Sequence, residues 1–333
     1  MTSGWNSRHS SKLRALRPGF LLGLLSVCAP VGAPQEEAPR SETLRIHVDR
    51  VDVGVLVTDA KGRFVEGLDR MDFALYDDGA LQPVTEFAPV DAPAEVLLLV
   101  EAGPAVYLLE DTHLFTAEAL LEGLSPADRV AIVRYSDRPR VLLDFTDDKR
   151  AAQSALEEIP FAIGFAQLNL SLSLNATLDW LAPLPGKKTI LLLSTGVDSS
   201  PRQSMQDLLA RLESGDVRLL TVSLAGPLRT SKHHDPRQPS PAQEALAEAD
   251  AWLRALAEAT GGRAYFPENA KAVEKMFRQL AQLLRHEYSM AFAPPAADGK
   301  LHTVTVQVAP KSGQPPPYRV DHRKAYRAPP PQQ

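Results

Sequence analysis

The strongest pattern of apolar positions along the chain predicts a buried central strand. Five apolar residues run without interruption from Val96 to Val100, and Glu101 and a Gly-Pro turn end the run. An apolar run of this length is typical of a strand that a parallel sheet buries on both faces. In open α/β sheets, ligands bind beyond the carboxyl ends of the strands. We therefore expect the residues from Glu101 to Ala105 to lie at the functional edge of the sheet.

The segment 94–285 alternates between short apolar runs and apolar positions at helical spacing. Further predicted strands cover 129–135, 140–145, 188–194, 217–224 and 263–266, and predicted helices cover 112–124, 147–159, 170–181, 202–214, 241–260 and 270–285. Asp147 is the predicted N-cap of the helix that begins there. Strands that alternate with helices predict an α/β fold, a doubly wound and mostly parallel sheet of Rossmann-like type.

The two segments that flank this region, 44–90 and 286–328, have the period of two that is typical of strands. Residues alternate from Leu44 to Val57, and Asp77-Asp-Gly79 predicts a hairpin turn between strands at 73–76 and 83–87. A linker is predicted over 89–93, and the carboxyl-terminal strands over 287–292, 301–308 and 318–321. Because each segment alone leaves an apolar face uncovered, we expect both to form one small β-sandwich.

The amino terminus has the pattern of an export signal. A basic stretch that ends at Arg17 precedes an apolar segment at 20–29, which is too short to span a bilayer. We interpret 1–33 as a signal peptide with cleavage after Ala33, and 34–43 as a linker. Lipidation at Cys28, in a sequence that resembles a lipoprotein box, is the alternative. The protein is therefore expected to be periplasmic or secreted, and its end, 329–333, to be disordered.

Composition narrows the classes of function. The net charge is −5. Residues 1–33 contain Lys and Arg but no Asp or Glu, so the chain without them is more acidic still. Nucleic-acid binding depends on Lys and Arg that neutralise phosphates, and an acidic chain argues against it. Cys28 is the only cysteine, so no intrachain disulfide is expected. After removal of the signal, no remaining segment has the pattern of a membrane anchor.

Local motifs do not predict an enzyme. The sequence contains no Gly-x-Ser-x-Gly elbow, no His-Glu-x-x-His helix and no Walker loop. His233-His-Asp235 lies in a long loop, 225–240, without a third nitrogen or sulfur ligand nearby, so we interpret the loop as a contact segment. Asp77-Asp-Gly79 lacks the alternating oxygens of a calcium loop, and turn chemistry explains it better.

Several segments together resemble one family. They are Val57-Thr-Asp-Ala-Lys-Gly-Arg-Phe-Val-Glu-Gly-Leu68, Asp72-Phe-Ala-Leu-Tyr-Asp-Asp-Gly79, Val96-Leu-Leu-Leu-Val100, Leu191-Leu-Leu-Ser-Thr-Gly-Val-Asp198 and Arg285-His-Glu-Tyr-Ser-Met290. In their order and spacing, residues 44–328 resemble the bacterial VWFA-related family of acidobacterial type, which is built around a von Willebrand factor A-like domain.

The resemblance implies a metal-ion-dependent adhesion site that this sequence has altered. Such a site takes Asp-x-Ser-x-Ser after the first strand, a Thr from a later loop and an Asp after the fourth strand. Here the first motif reads Glu101-Ala-Gly103-Pro104-Ala105, the loop at 167–169 has no Thr, and Thr195 stands at the Asp position. A carboxylate and a hydroxyl do not replace the missing oxygens, so we expect no Mg²⁺ or Mn²⁺ and no other cofactor.

Two functional interpretations follow from the resemblance. The first is an exported, non-enzymatic binding, adhesion or scaffold protein that contacts a protein partner through a rim formed by Glu101, Pro104, Thr195 and Asp198. In this interpretation Glu101 is a carboxylate at the rim of the strand end. The alternative is metal-dependent adhesion through Mg²⁺ or Mn²⁺, with Asp198 completing a non-standard set of ligands.

Overall fold

The computed structural model describes residues 50–103, 119–159, 167–184, 188–226, 240–309 and 318–331. The predicted signal peptide 1–33 with Cys28, the linker 34–43, the residues 44–49, Pro104, Ala105 and His233-His-Asp235 lie outside the described residues. Within the described ranges, no helix is long and apolar enough to cross a membrane.

The described chain begins and ends with strands, and its helices lie between them. The strands are β1 Val51–Thr58, β2 Phe73–Asp77, β3 Ala80–Gln82, β4 Glu86–Asp91, β5 Glu95–Glu101, β6 Arg129–Tyr135, β7 Pro139–Thr146, β8 Thr189–Ser194, β9 Arg218–Ser223, β10 Ala264–Tyr265, β11 His286–Phe292, β12 Leu301–Val308, β13 Arg319–Asp321 and β14 Ala325–Arg327. The helices are α1 Lys149–Glu157, α2 Leu170–Leu181, α3 Arg202–Glu213, α4 Pro241–Ala259 and α5 Ala270–Leu283, with a 3₁₀ turn at Arg70–Asp72.

A six-stranded sheet in the order β10-β9-β8-β5-β6-β7 forms the centre of the α/β part. β5 pairs in parallel with β6 on one side and with β8 on the other, so the chain changes direction across the sheet at β5. The predicted central strand and the mostly parallel sheet are confirmed. The edge strand β7 is antiparallel to β6, because the three residues that join them are too few for a crossover.

Alternate residues of β5 face two separate apolar cores. Val96, Leu98 and Val100 pack on the side that includes α5, and Leu97 and Leu99 pack on the side that includes α2, α3 and α4. Helices on both faces explain why the strand is an unbroken apolar run rather than an alternating one.

The flanking segments form the predicted sandwich of two four-stranded sheets, β13-β1-β11-β4 and β14-β12-β2-β3. The amino-terminal β1 pairs with the carboxyl-terminal β11, and β2 pairs with β12, all antiparallel. Residues such as Val55, Leu75, Tyr288 and Val306 bury a shared core between the sheets. The β-sandwich therefore depends on both ends of the described chain.

Two contacts, an ion pair and the close approach of a glycine, join the sandwich to the α/β part. The Arg218 guanidinium on β9 lies 3.1 Å from the Glu287 carboxylate on β11, and both side chains are about nine-tenths buried. Within the sandwich, His322 is 3% exposed, accepts the Val306 N–H at Nε2 and faces the Arg323 carbonyl at Nδ1. After α4, Gly261 adopts a φ of +71°, and a Cβ there would lie 2.1 Å from the His322 carbonyl carbon.

The structure corrects four details of the sequence prediction. The N-cap of α1 is Asp148 rather than Asp147, since Asp148 accepts the N–H groups of the first turn. The strand after the hairpin is the short β3, and the chain then crosses to the other sheet as β4. The predicted linker at 89–93 lies partly within β4, where Pro89 is tolerated because β4 is an edge strand. At the carboxyl end, Pro329 accepts the Gly299 N–H, so the fold extends into the predicted disordered tail.

Candidate functional site

The carboxyl ends of three adjacent strands bring polar side chains together at the point where β5 is flanked by β6 and β8. Glu101, the last residue of β5, is opposite Tyr135 on β6, and the pairing of Val100 with Leu193 places Ser194 beside it on β8. Each of these residues follows a run of apolar positions that buries its strand. Parallel strands that end at one edge therefore place the three side chains in one pocket.

The Glu101 carboxylate is completely buried and is surrounded by hydrogen-bond donors. Its Oε2 accepts the Ser194 hydroxyl at 2.8 Å and the Thr195 N–H at 2.8 Å, and lies 3.3 Å from the Tyr135 hydroxyl. The Thr195 hydroxyl lies 2.9 Å from both carboxylate oxygens. All four residues are no more than 1% exposed. The carboxylate is therefore held by hydroxyl and amide donors of its own chain.

The hydroxyl groups are themselves ordered by the same network. The Ser194 hydroxyl accepts the Gly196 N–H at 2.8 Å and lies 2.7 Å from the Tyr135 hydroxyl. Burial raises the pKa of Glu101 above its ordinary value, and the hydrogen bonds oppose this rise. Burial, followed by the nearby Glu101 charge, raises the pKa of Tyr135 well above its ordinary value. Tyr135 is therefore a neutral donor.

Apolar packing closes the pocket on the side of the first loop. A Cβ on Gly103 would lie 2.6 Å from a methyl group of Leu168 and 3.4 Å from Glu101 Oε1. Leu168 is 6% exposed and Ala102 is fully buried. Position 103 is therefore packed against a leucine side chain, and a larger residue there would require Leu168 to shift.

Asp198 has a separate role in the next loop. Its two carboxylate oxygens accept the Ser171 N–H at 3.1 Å and the Ser200 N–H at 2.9 Å. Asn169 is the N-cap of α2 and also accepts the Ser200 hydroxyl at 2.8 Å. Asp198 thus satisfies an N–H in the first turn of α2, where a negative charge is favourable.

Exposed residues surround this closed pocket. Val197, in the loop after β8, is 37% exposed, and Leu172, in the first turn of α2, is 44% exposed. The Ser199 N–H donates to the Leu168 carbonyl at 2.7 Å and joins the two segments. Ser199 and Gln167 are also exposed. Among the described residues, the segments 167–172, which includes the first turn of α2, and 195–200 form a mixed apolar and polar face at this edge of the sheet, which we call the outer rim.

The structure brings together only part of the predicted site. Glu101 and Thr195 are hydrogen-bonded neighbours, but both are buried, so they do not form the exposed rim that the sequence indicated. Gly103 is buried, Asp198 is half-buried and bonded elsewhere, and Pro104 and Ala105 lie outside the described residues.

Sequence reasoning missed Tyr135 and Ser194. Both are the last residues of predicted strands, and that position is the signal that could have found them. Leu168 was also missed, and the sequence holds no such signal for it.

Comparisons with known proteins give one family match and several similar solved structures. Residues 115–279 match the family model described as von Willebrand factor type A domain. Similar solved structures include conserved hypothetical protein BatB from Bacteroides thetaiotaomicron (13% identity, 57% of this chain and 98% of that chain covered, TM-score 0.42). A second is a von Willebrand factor type A protein from Catenulispora acidiphila (11% identity, 77% of this chain and 72% of that chain covered, TM-score 0.46). A third is the ArnB paralog VWA2 from Sulfolobus acidocaldarius (14% identity, 84% of this chain and 76% of that chain covered, TM-score 0.39). No curated relative matches the sequence. At these identities and TM-scores, the similar structures carry no argument about function.

Proposed function

Because this chain contains a von Willebrand factor type A domain, we propose that it is a non-enzymatic binding or scaffold protein that recognises a protein partner without a cation at Glu101. The observation that carries the proposal is the hydrogen bonding of Glu101 to Ser194 and Thr195. The family match supports a protein-interaction role, and the pocket geometry supports the absence of a metal.

The donor set around Glu101 does not fit a hard dication. Mg²⁺ and Mn²⁺ sites need several oxygen ligands, and Mg²⁺ demands near-octahedral geometry. Here the carboxylate oxygens accept hydrogen bonds from an amide N–H and from the hydroxyl groups of Tyr135, Ser194 and Thr195. A cation at this position would displace those donors, and the Thr195 N–H is fixed by the backbone. In this proposal the Glu101 carboxylate is therefore held by donors of its own chain rather than by a cation.

The outer rim is the surface that we assign to the partner. Val197 and Leu172 are exposed apolar side chains with polar neighbours, the mixture that is common in protein interfaces. Asp198 and Asn169 join the two segments at the start of α2 by hydrogen bonds to the Ser171 N–H and the Ser200 hydroxyl. Segments that are already fixed before binding reduce the conformational entropy that is lost when the complex forms.

The non-enzymatic character and the export of the protein belong to the same proposal. Burial removes Glu101 from any substrate, and Tyr135 is held neutral by its raised pKa. The leader at 1–33 supports transfer to the periplasm or the medium. Mass spectrometry of the mature chain tests the export, and a start at residue 34 is expected. Lipid on Cys28 would support the anchored alternative.

Calorimetric titration with Mg²⁺ and Mn²⁺ tests whether Glu101 binds a cation. Wild type and the Glu101→Gln variant should give the same isotherm, because Glu101 is not a ligand. Micromolar binding that is present in the wild type and lost in Glu101→Gln would contradict the proposal. That result would favour metal-dependent adhesion with Asp198 among the ligands.

Capture from an envelope fraction of the source organism tests the outer rim. A partner should be retained by the wild type, lost in the double variant Leu172→Asp with Val197→Asp, and unaffected by a chelator. Leu301→Asp is the matched control, because Leu301 is as exposed as Leu172 but lies on the sandwich. Equal capture by the double variant and the control would place the binding surface elsewhere.

A further inference from the structure

A second group of ionisable side chains lies in the β-sandwich, in a different sheet from Glu101, and does not depend on the proposed function. Asp77 ends β2, Asp78 follows it in the hairpin turn, and His302 is the second residue of β12. β2 and β12 are antiparallel neighbours, with Asp77 opposite Val304. The pairing of the two ends of the described chain therefore brings these three side chains together.

The ligand atoms of this group have the separations of a metal site. His302 Nδ1 lies 3.0 Å from Asp78 Oδ2 and 3.4 Å from Asp77 Oδ1. All three atoms lie within 4.8 Å of one another. Metal–ligand bonds of about 2.0–2.1 Å in tetrahedral geometry place neighbouring ligand atoms about 3.3 Å apart.

Each carboxylate uses its other oxygen for a fixed hydrogen bond. The Tyr326 hydroxyl donates to Asp77 Oδ2 at 3.1 Å. The Thr303 N–H and hydroxyl donate to Asp78 Oδ1 at 2.8 Å and 2.6 Å. These contacts leave Asp77 Oδ1 and Asp78 Oδ2 directed towards the imidazole. Ligating carboxylates in metal sites are held by outer hydrogen bonds of this kind.

The imidazole is oriented in the same way. His302 Nε2 lies 3.2 Å from Asp298 Oδ1, while Nδ1 faces the other two carboxylates. A carboxylate on the far nitrogen fixes the ring and the tautomer of a metal-binding histidine. The carboxylates of Asp77, Asp78 and Asp298 all lie within 3.4 Å of a ring nitrogen of His302. The local field therefore attracts a cation.

One buried oxygen of this group is not satisfied by the residues that the structure describes. Asp77 is 2% exposed, and its Oδ1 has no hydrogen-bond donor among them. A buried carboxylate oxygen without a donor is costly. Because this oxygen points at Nδ1 and Asp78 Oδ2, a cation between the three atoms would satisfy it. Asp78 is 55% exposed at its side chain, which leaves a route from solvent.

We propose that His302, Asp77 and Asp78 bind a first-row divalent metal ion of the zinc class, with a further coordination position open to solvent. One nitrogen and two carboxylate oxygens suit Zn²⁺ and the metals that replace it, such as Co²⁺. The metal would link the β2–β3 turn to β12. Asp298 and Tyr326 are positioning residues, since they act through the ligands.

Dialysis of the full chain against micromolar free Zn²⁺ tests the proposal, with bound metal counted by mass spectrometry. A background with His233→Gln and His234→Gln removes the histidine pair of the 225–240 loop. One Zn²⁺ per chain is expected in this background. Asp78→Asn and His302→Gln should each weaken Zn²⁺ binding at least tenfold, and Asp298→Asn by about tenfold through loss of orientation.

Two controls separate this site from general affinity for metals. His286→Gln should bind Zn²⁺ as the background chain does, although His286 also lies on the sandwich and is 3.7 Å from a carboxylate of Asp91. Glu101→Gln should also bind normally. Because Asp78 is exposed, Asp78→Asn is expected to fold, and circular dichroism checks this directly.

Visible absorption of the Co²⁺ form gives a second readout. The chain should give Co²⁺ bands that Zn²⁺ abolishes and that His302→Gln lacks. Absence of bound Zn²⁺ at micromolar free metal would overturn the proposal. Binding that is equal in the background chain, Asp78→Asn and His302→Gln would overturn it as well.

Discussion

Replacement of Glu101 by alanine tests whether this buried carboxylate closes the sheet-edge pocket. The Thr195 N–H cannot rotate away, and an unpaired buried amide costs about 1–3 kcal/mol. The lost methylene adds about 0.8 kcal/mol, and the hydroxyl bonds of Ser194 and Thr195 contribute about 1 kcal/mol each. Relief of the buried charge offsets part of this sum. We expect the free energy of unfolding to fall by about 3 kcal/mol.

Urea unfolding of the full chain measures this effect. Glu101→Gln keeps the shape and one acceptor, so its loss should be about 1–2 kcal/mol. The matched control is Glu95→Gln on the same strand, whose ion pair with Arg129 is partly exposed and is expected to contribute less than about 1 kcal/mol. If the two Glu101 variants lose no more free energy of unfolding than Glu95→Gln does, the conclusion that Glu101 stabilises the sheet-edge pocket is refuted.

The pH dependence of the same comparison has a defined sign. Burial raises the pKa of folded Glu101 above 4.5, the value of an ordinary glutamate. The Glu101 carboxyl group therefore binds its proton more tightly in the folded state than in the unfolded state. The contribution of this proton binding to the free energy of unfolding is fully present below pH 4.5. The free energy difference between the wild type and Glu101→Gln should fall as pH rises through the folded pKa. A difference that grows with pH would contradict the raised pKa.

Three further predictions concern the join between the sandwich and the α/β part. Gly62→Ala should lower the free energy of unfolding by about 1–2 kcal/mol, and Gly261→Ala should lower it by at least twice as much. Both positions need a positive φ, but only a Cβ at 261 would meet backbone atoms. Equal unfolding midpoints for the two variants would contradict this prediction. Arg218→Ala removes the guanidinium that faces the buried Glu287 carboxylate and should cost about 3–5 kcal/mol in urea unfolding, whereas a loss below 1 kcal/mol would show that the pair is well solvated. Burial lowers the pKa of His322 to about 4, so up to about 3 kcal/mol of stability should be lost as pH falls from 6.5 to 4, and His322→Gln should lack this loss.

Much of the fold could be predicted from local pattern. The apolar run at Val96–Val100 predicts a strand with two buried faces, and alternation at both ends of the described chain predicts the sandwich. The antiparallel direction of β7 was not predicted, although the short connection after Tyr135 leaves no room for the crossover that a parallel strand requires. The N-cap of α1 was misplaced by one residue because Asp147 and Asp148 are both capable caps.

The sequence by itself determined which residues end the central strands, because periodicity and turn residues are local properties. Through the family resemblance, it also predicted that oxygen ligands of the family's metal motif are missing. Only the tertiary structure decided that Glu101 is buried among donors from β6 and β8, and that Asp77 and Asp78 meet His302. The physical reason is that hydrogen bonds and ligand separations depend on atoms that strand pairing brings together from distant parts of the chain.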